Sequence, residues 1–206
     1  MDQSTSHHLL RVTGIAPGER VEIFDGQGAG AVAELVDVQG GLAVLRVLHH
    51  QSQMGEGGRV HLVLAQTRAN VLDATLRMVT ELGVSSIQIV GSERCVAKGD
   101  KRTRWQRIIE SAAAQSGRLT IPELREPTSF SLVLGERSGS KIIFAPGAAS
   151  IPKPAGDVHL LIGPEGGLSD EELLQAEDAA WVRSGLGSTI LRADTAAIAA
   201  VARYGG

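Results

Sequence analysis

A single cysteine, Cys95, stands in 206 residues. A lone thiol cannot close an intrachain disulfide, which suits a reducing compartment. Long apolar runs are missing: no stretch approaches the ~20 residues that a membrane-spanning helix needs. The first residues, MDQSTSHHLLRV, lack a basic region followed by an apolar one, so they do not read as a signal peptide. Neither a G-x-G-x-x-G nor a Gly-Lys-Ser/Thr phosphate loop occurs, which argues against a dinucleotide or nucleoside-triphosphate enzyme. His7-His8 and His49-His50 are adjacent pairs, and neighbours in a strand point to opposite faces, so no metal site is expected. Internal repeats are absent. The expectation is a cytoplasmic globular chain with no membrane partner.

What is present is unevenly spread. Residues 1–65 carry four Lys/Arg against seven Asp/Glu, while 66–206 carry sixteen of each. Within the second part, ERCVAKGDKRTRWQR (93–107) holds six basic residues against two acidic ones, a local charge of +4. Arg94, Lys98 and Arg102, interleaved with Trp105, suit a surface that grips phosphates and stacks a base. The same residues also fit a solvated helix start with its charges in water.

Pattern changes near residue 60. Before it, RVEIF (20–24), GAVAELVDV (30–38) and LAVLRVL (42–48) are short β-like runs separated by DGQG and QGG, which predicts a small antiparallel barrel or sheet. After it, apolar runs at 60–65, 86–90, 141–145 and 158–162 alternate with helical patterns near 70–82, 103–116, 170–180 and 194–203. Strands alternating with helices predict a parallel α/β sheet. The expected domains are therefore 1–59 and 60–206.

In the helix near 70–82, Leu72, Thr75, Leu76, Val79 and Leu82 form one stripe, with Asp73, Arg77 and Glu81 off it and Gly83 as a left-handed stop. Ser169 with Glu172 three residues on is a capping box. LLIGPEGGLSDEE (160–172) is thus a strand end, a glycine loop and a helix start. Ligands of open α/β sheets bind at carboxyl strand ends, where helix starts present free N–H groups. A plain connecting turn would use the same residues.

A second loop of this kind, in SGLGSTILRADTAAIAAVA (184–202), follows soon after. Together, GPEGGLSDEE and LGSTILRADTA resemble the paired signature of the SPOUT methyltransferases, specifically the ribosomal small-subunit RNA methyltransferase E family. TELGV (80–84), SERC (92–95), WQRIIESAAAQSGR (105–118) and PGERVEIFDG (17–26) extend the resemblance over nearly the whole chain.

The resemblance implies an N-terminal PUA-like RNA-binding β-barrel followed by a SPOUT α/β domain with a C-terminal trefoil knot. It also implies a homodimer that binds S-adenosylmethionine in the knot and methylates N3 of a uridine in 16S ribosomal RNA of the small subunit. By the same resemblance the cofactor loops are Ala145, Pro146 and Gly147; Ile162, Gly163, Gly166 and Gly167; and Leu186, Gly187, Ile190 and Leu191. Uridine N3 must lose a proton, so a base or an anion-stabilising cation is expected. Arg192 is the candidate cation and Glu165 the candidate base or loop-orienting group, while Arg192 beside Asp194 also fits a surface ion pair. RNA contacts are expected at Arg11, Arg94, Lys98, Arg102 and Arg118. The chain departs from the family pattern at Gly14, Ala114, Ser188, Ala193 and Asp194. Those departures leave a second reading, a relative that binds RNA without transferring methyl groups.

Overall fold

The computed structural model describes residues 3–52, 58–96, 99–135 and 137–205. The chain divides into two compact units, Met1–Gly55 with Arg118–Thr120, and Glu56–Gly117 with Ile121–Gly206. Among the described residues no helix is long and apolar enough to cross a membrane.

The first unit begins with α1 (Gln3–His7) and a π-helical turn (His8–Val12). An antiparallel meander follows, β1 (Arg20–Phe24), β2 (Ala29–Gln39) and β3 (Leu42–Ser52), in that order across the sheet. Gln39 faces Leu42, so the β2–β3 turn is the pair Gly40-Gly41, at φ 59° and 81°. Two left-handed residues make the tight hairpin that matches strand twist, and glycine reaches them without strain. Leu9, Leu35 and Ala43 form the small core. Of the barrel or sheet that the turn pattern predicts, the described strands form this three-stranded antiparallel sheet. The segment Arg118–Thr120 adds to it: Thr120 bridges Gly26 and Gln27, and the Gly28 N–H donates to the Leu119 carbonyl at 3.0 Å. Arg20 and Arg46 both lie opposite Glu34 in register, and Arg46 pairs with it at 3.0 Å. Part of this unit's basic charge is therefore spent internally.

The second unit is an all-parallel six-stranded sheet ordered β6-β5-β4-β8-β7-β9. Its strands are β4 (Val60–Ala65), β5 (Ser86–Gly91), β6 (Glu123–Ser129), β7 (Ser140–Phe144), β8 (Val158–Ile162) and β9 (Val182–Ser184). Between them run α2 (Ala69–Glu81), α3 (Arg102–Gln115), α4 (Phe130–Val133), α5 (Asp170–Asp178) and α6 (Ala193–Tyr204). Both faces are covered, as a parallel sheet requires. On one face Leu62, Leu64 and Leu160 pack with Leu76, Ile109 and Val201 of the helices. On the other, Val63, Ile143 and Leu161 pack with Phe130, Ala176 and Trp181.

The α2 stripe is buried at Leu72, Thr75, Leu76 and Val79, but Leu82 is 38% exposed. Asp73, placed off that stripe, is nevertheless buried and pairs with Arg104. Trp105 is 1% exposed and belongs to the core, so it offers no stacking surface for a base. The short strands β6 and β9 and the single-turn α4 are additions to the sequence-based assignment. In β6, Pro127 cannot donate to a ladder, and the β5–β6 register slips just there, between Arg125 and Thr128.

Candidate active site

Three loops leave the carboxyl ends of β7, β8 and β9 and enclose a cavity of about 390 Å³. Ala145 and Pro146 line it from the first loop; Gly147, the next residue, lies outside the wall. Ile162, Gly163, Gly166 and Gly167, with Glu165, line it from the second. Leu186, Gly187, Ile190 and Leu191 line it from the third. Pro164 and Thr189, within the expected loops, also line it, as do Phe144, Leu168, Leu173, Ser184, Ala193 and Ala196, which were not expected at the site. Phe144, directly before Ala145 on β7, and Leu173, directly after Glu172 on α5, bring apolar surface to the wall.

The loops are bound to each other. The Ala145 N–H donates to the Ser184 carbonyl at 3.1 Å, the Gly185 N–H donates to the Ala149 carbonyl at 3.1 Å, and Ser184 Oγ accepts from the Ile151 N–H at 3.3 Å. A Cβ at Gly185 would stand 2.1 Å from the Ala148 carbonyl oxygen, so only glycine permits this approach. The first and third loops are thereby locked side by side.

The second loop is held from the β5 side. Arg94 Nη1 donates to the carbonyls of Gly166 at 3.2 Å and Leu168 at 3.4 Å. Glu172 completes the expected capping box with Ser169, its Oε2 accepting from the Ser169 N–H at 3.0 Å. Its other oxygen, Oε1, accepts from the Glu93 N–H at 2.9 Å. This second bond was invisible in sequence, because the capping pattern accounts for Glu172 by itself.

The candidate catalytic pair separates. Glu165 lies on the cavity wall, with Oε1 3.5 Å from the N–H of Arg68, the residue that caps α2. A carboxylate there is favoured by the helix dipole. Arg192 caps α6 with its main chain; its side chain is 84% exposed, 3.6 Å from Asp194, and outside the cavity wall between two residues that belong to it, Leu191 and Ala193. Asp194 accepts from the Thr195 N–H at 2.8 Å. Ser188 is exposed on the third loop, Ala114 is exposed on α3, and Gly14 is exposed in the first unit at φ 68°.

Of the residues expected at RNA, Arg94 is engaged with the second loop, and Arg102 pairs with Glu126 and donates to the Leu124 carbonyl at 3.2 Å. Lys98 lies outside the described residues. Arg11 and Arg118 belong to the first unit: Arg11 is exposed, and burial lowers the pKa of Arg118. Arg77, Arg104 and Arg107 gather around a shallow hollow between α2 and α3, so basic surface persists there.

Glu165 is the one charged residue lining the cavity among the described residues. A site with apolar walls, open main chain and only negative charge suits an uncharged heterocycle carrying a cation, and disfavours a phosphate.

Residues 56–205 match the model of the RNA methyltransferase domain, which makes the site-bearing unit a domain of that class. A ribosomal RNA small subunit methyltransferase E of Mycobacterium bovis is 31% identical over 229 residues, covering 100% of this chain and 85% of the relative. One of Synechocystis is 29% identical over 211 residues, covering 96% and 69%. Among solved structures, the ribosomal RNA small subunit methyltransferase E from Neisseria gonorrhoeae bound to S-adenosyl methionine superposes with TM-score 0.90 at 33% identity, covering 98% of this chain and 88% of that one. A putative methyltransferase from Legionella pneumophila in complex with the bound cofactor superposes with TM-score 0.87 at 30% identity, again covering 98% and 88%. The chain belongs to the ribosomal RNA small subunit methyltransferase E family.

Proposed function

We propose that this chain transfers a methyl group from S-adenosylmethionine to N3 of a uridine in 16S ribosomal RNA, acting as a cytoplasmic homodimer. The observation that carries this reading is the three-loop cavity with Glu165 as its charged wall residue. Its volume of about 390 Å³ fits the ~300–1,000 Å³ range of small-molecule sites. The cofactor supplies an electrophilic methyl group on a cationic sulfur. Leu186, Ile190 and Leu191 enclose its adenine, and main-chain groups of the loops from Ala145, Ile162 and Leu186 onward read the adenine edge. We infer the trefoil knot from family membership and from the cross-bonding of the first and third loops.

As N3 bonds to the methyl carbon, the carbon–sulfur bond breaks with its electrons staying on sulfur, and the N3 proton leaves. Holding nucleophile and electrophile in line supplies most of such an acceleration. Arg192, exposed beside the cavity, stabilises the uridine anion, and Glu165 takes the proton or orients the loop. Residues 1–59, a PUA-like module, and the basic surface of residues 60–206 bind the RNA.

The test is incubation of the protein with methyl-labelled S-adenosylmethionine and small ribosomal subunits from cells lacking their own enzyme. Label in 16S RNA supports the reading. Cofactor binding with no label in RNA overturns it in favour of a binding module.

A further inference from the structure

The other end of the same sheet holds a second cavity, of about 470 Å³, walled by the amino-terminal parts of β4, β5, β6 and β8 and by Leu132, Val133, Gly135, Arg137 and Ser138. We propose that it is a binding site for a phosphate group, gripped by Arg59, Arg125 and Arg137.

Register builds the site. His61 of β4 lies beside His159 of β8 on one flank and Ser86 of β5 on the other, and Gln88 of β5 lies beside Arg125 of β6. Side chains alternate along each strand, so His61 and His159 share the face of Val63 and Leu161, opposite to Leu62 and Leu160. The two rings stack, centroids 4.6 Å apart and planes 18° apart. His61 Nδ1 meets Ser86 Oγ at 2.7 Å, and His159 Nε2 donates to the Ser138 carbonyl at 2.9 Å. His159 is 4% exposed, and its Nδ1 has no partner among the described residues. This is a polar floor laid where a core would ordinarily be apolar.

Three guanidiniums stand around that floor. Arg59 pairs with Asp157 through Nε and Nη2, Arg125 pairs with Glu123 through Nε, and Arg137 spends Nε on the Val133 carbonyl and Nη2 on Gln88. Arg137 has no carboxylate partner among the described residues. Among the described residues, Nη1 of Arg59, both Nη of Arg125 and Nη1 of Arg137 make no hydrogen bond. Among the described residues, three cations against Asp157 and Glu123 leave a positive excess, with planar N–H forks suited to a phosphate.

The charges also strain one another. Burial, followed by the nearby charge of Arg125, lowers the pKa of Arg137. Burial holds His159 down to about 4 and lowers His61 as well, with Arg125 adding to both shifts. Crowding of like charge around a cavity disfavours the empty state, and a bound anion relieves it.

Inorganic phosphate and an RNA phosphodiester share this chemistry. The experiment titrates inorganic phosphate into the full chain, following the imidazole signals of His61 and His159 by NMR and the heat by calorimetry. Saturable binding is expected, with both imidazole pKa values rising and with affinity about tenfold weaker in Arg125→Ala, the scale of losing a hydrogen bond to a charged group. Arg137→Lys, which keeps the charge and loses the fork, should also weaken it. A parallel titration uses a short oligouridylate: competition with phosphate, lost in Arg125→Ala, assigns the site to the RNA backbone, whereas phosphate binding without competition assigns it to free phosphate. Unmoved His61 and His159 signals at millimolar phosphate, or wild-type affinity in both variants, overturns the proposal.

Discussion

The carboxylate of Glu172 accepts from the Glu93 N–H at 2.9 Å, tying the loop after β5 to the helix that follows the GPEGG loop. Its other oxygen caps its own helix, and the residue is only 7% exposed. One side chain thus fixes where the GPEGG loop ends.

Glu172→Ala should destabilise the protein by about 1.5–3 kcal/mol, the scale of hydrogen bonds to a charged acceptor. It should also weaken cofactor affinity. Glu172→Gln, which keeps one acceptor, should lose less of both. Denaturant unfolding and calorimetric titration with S-adenosylmethionine check this; wild-type behaviour in Glu172→Ala removes the staple from the account.

Gly185→Ala places a methyl where a carbonyl oxygen stands 2.1 Å away. The first and third loops must part to admit it, so cofactor affinity should fall at least tenfold while far-ultraviolet circular dichroism stays near wild type. Unchanged affinity would show that the loop contact does not shape the site.

Arg192→Ala should cut methyl transfer strongly and leave cofactor affinity near normal, because the side chain is 84% exposed and lies outside the cavity wall. Unchanged turnover in single-turnover assays dismisses its role.

Stability should fall on mild acidification. His159 is held at about 4 against an ordinary 6.5, chiefly by burial, so between those values the unfolded chain binds the extra proton. Unfolding free energy therefore declines as pH drops from 6.5 toward 4, and the folded chain takes up the proton only near 4. Asp157, held down to about 2 from 3.8 by its bonds from Arg59, extends the loss at still lower pH. His159→Gln should flatten the slope in the upper range, measured by urea unfolding at a series of pH values.

Local signals carried much of the fold. The capping box at Ser169, the stop at Gly83 and the hairpin at Gly40-Gly41 each depend on a few adjacent residues, and each is present. Trp105 misled because six basic residues surround it, yet Ile109 and Ala112 follow at helical spacing on the same buried face. Strand β6 was hidden by Pro127, and the addition of Arg118–Thr120 to the first unit has no local signature. The cavity loops were legible through their glycines and their family resemblance. The pairing of His61 with His159 was not, since each sits in an unremarkable VHL run and only the β4–β8 register joins them.

The most direct measurement is nucleoside analysis of 16S RNA after reaction of small subunits with labelled S-adenosylmethionine and this protein. The account predicts 3-methyluridine bearing the label, at a single position. Label on another atom or base, or bound cofactor with no labelled nucleoside, would contradict it.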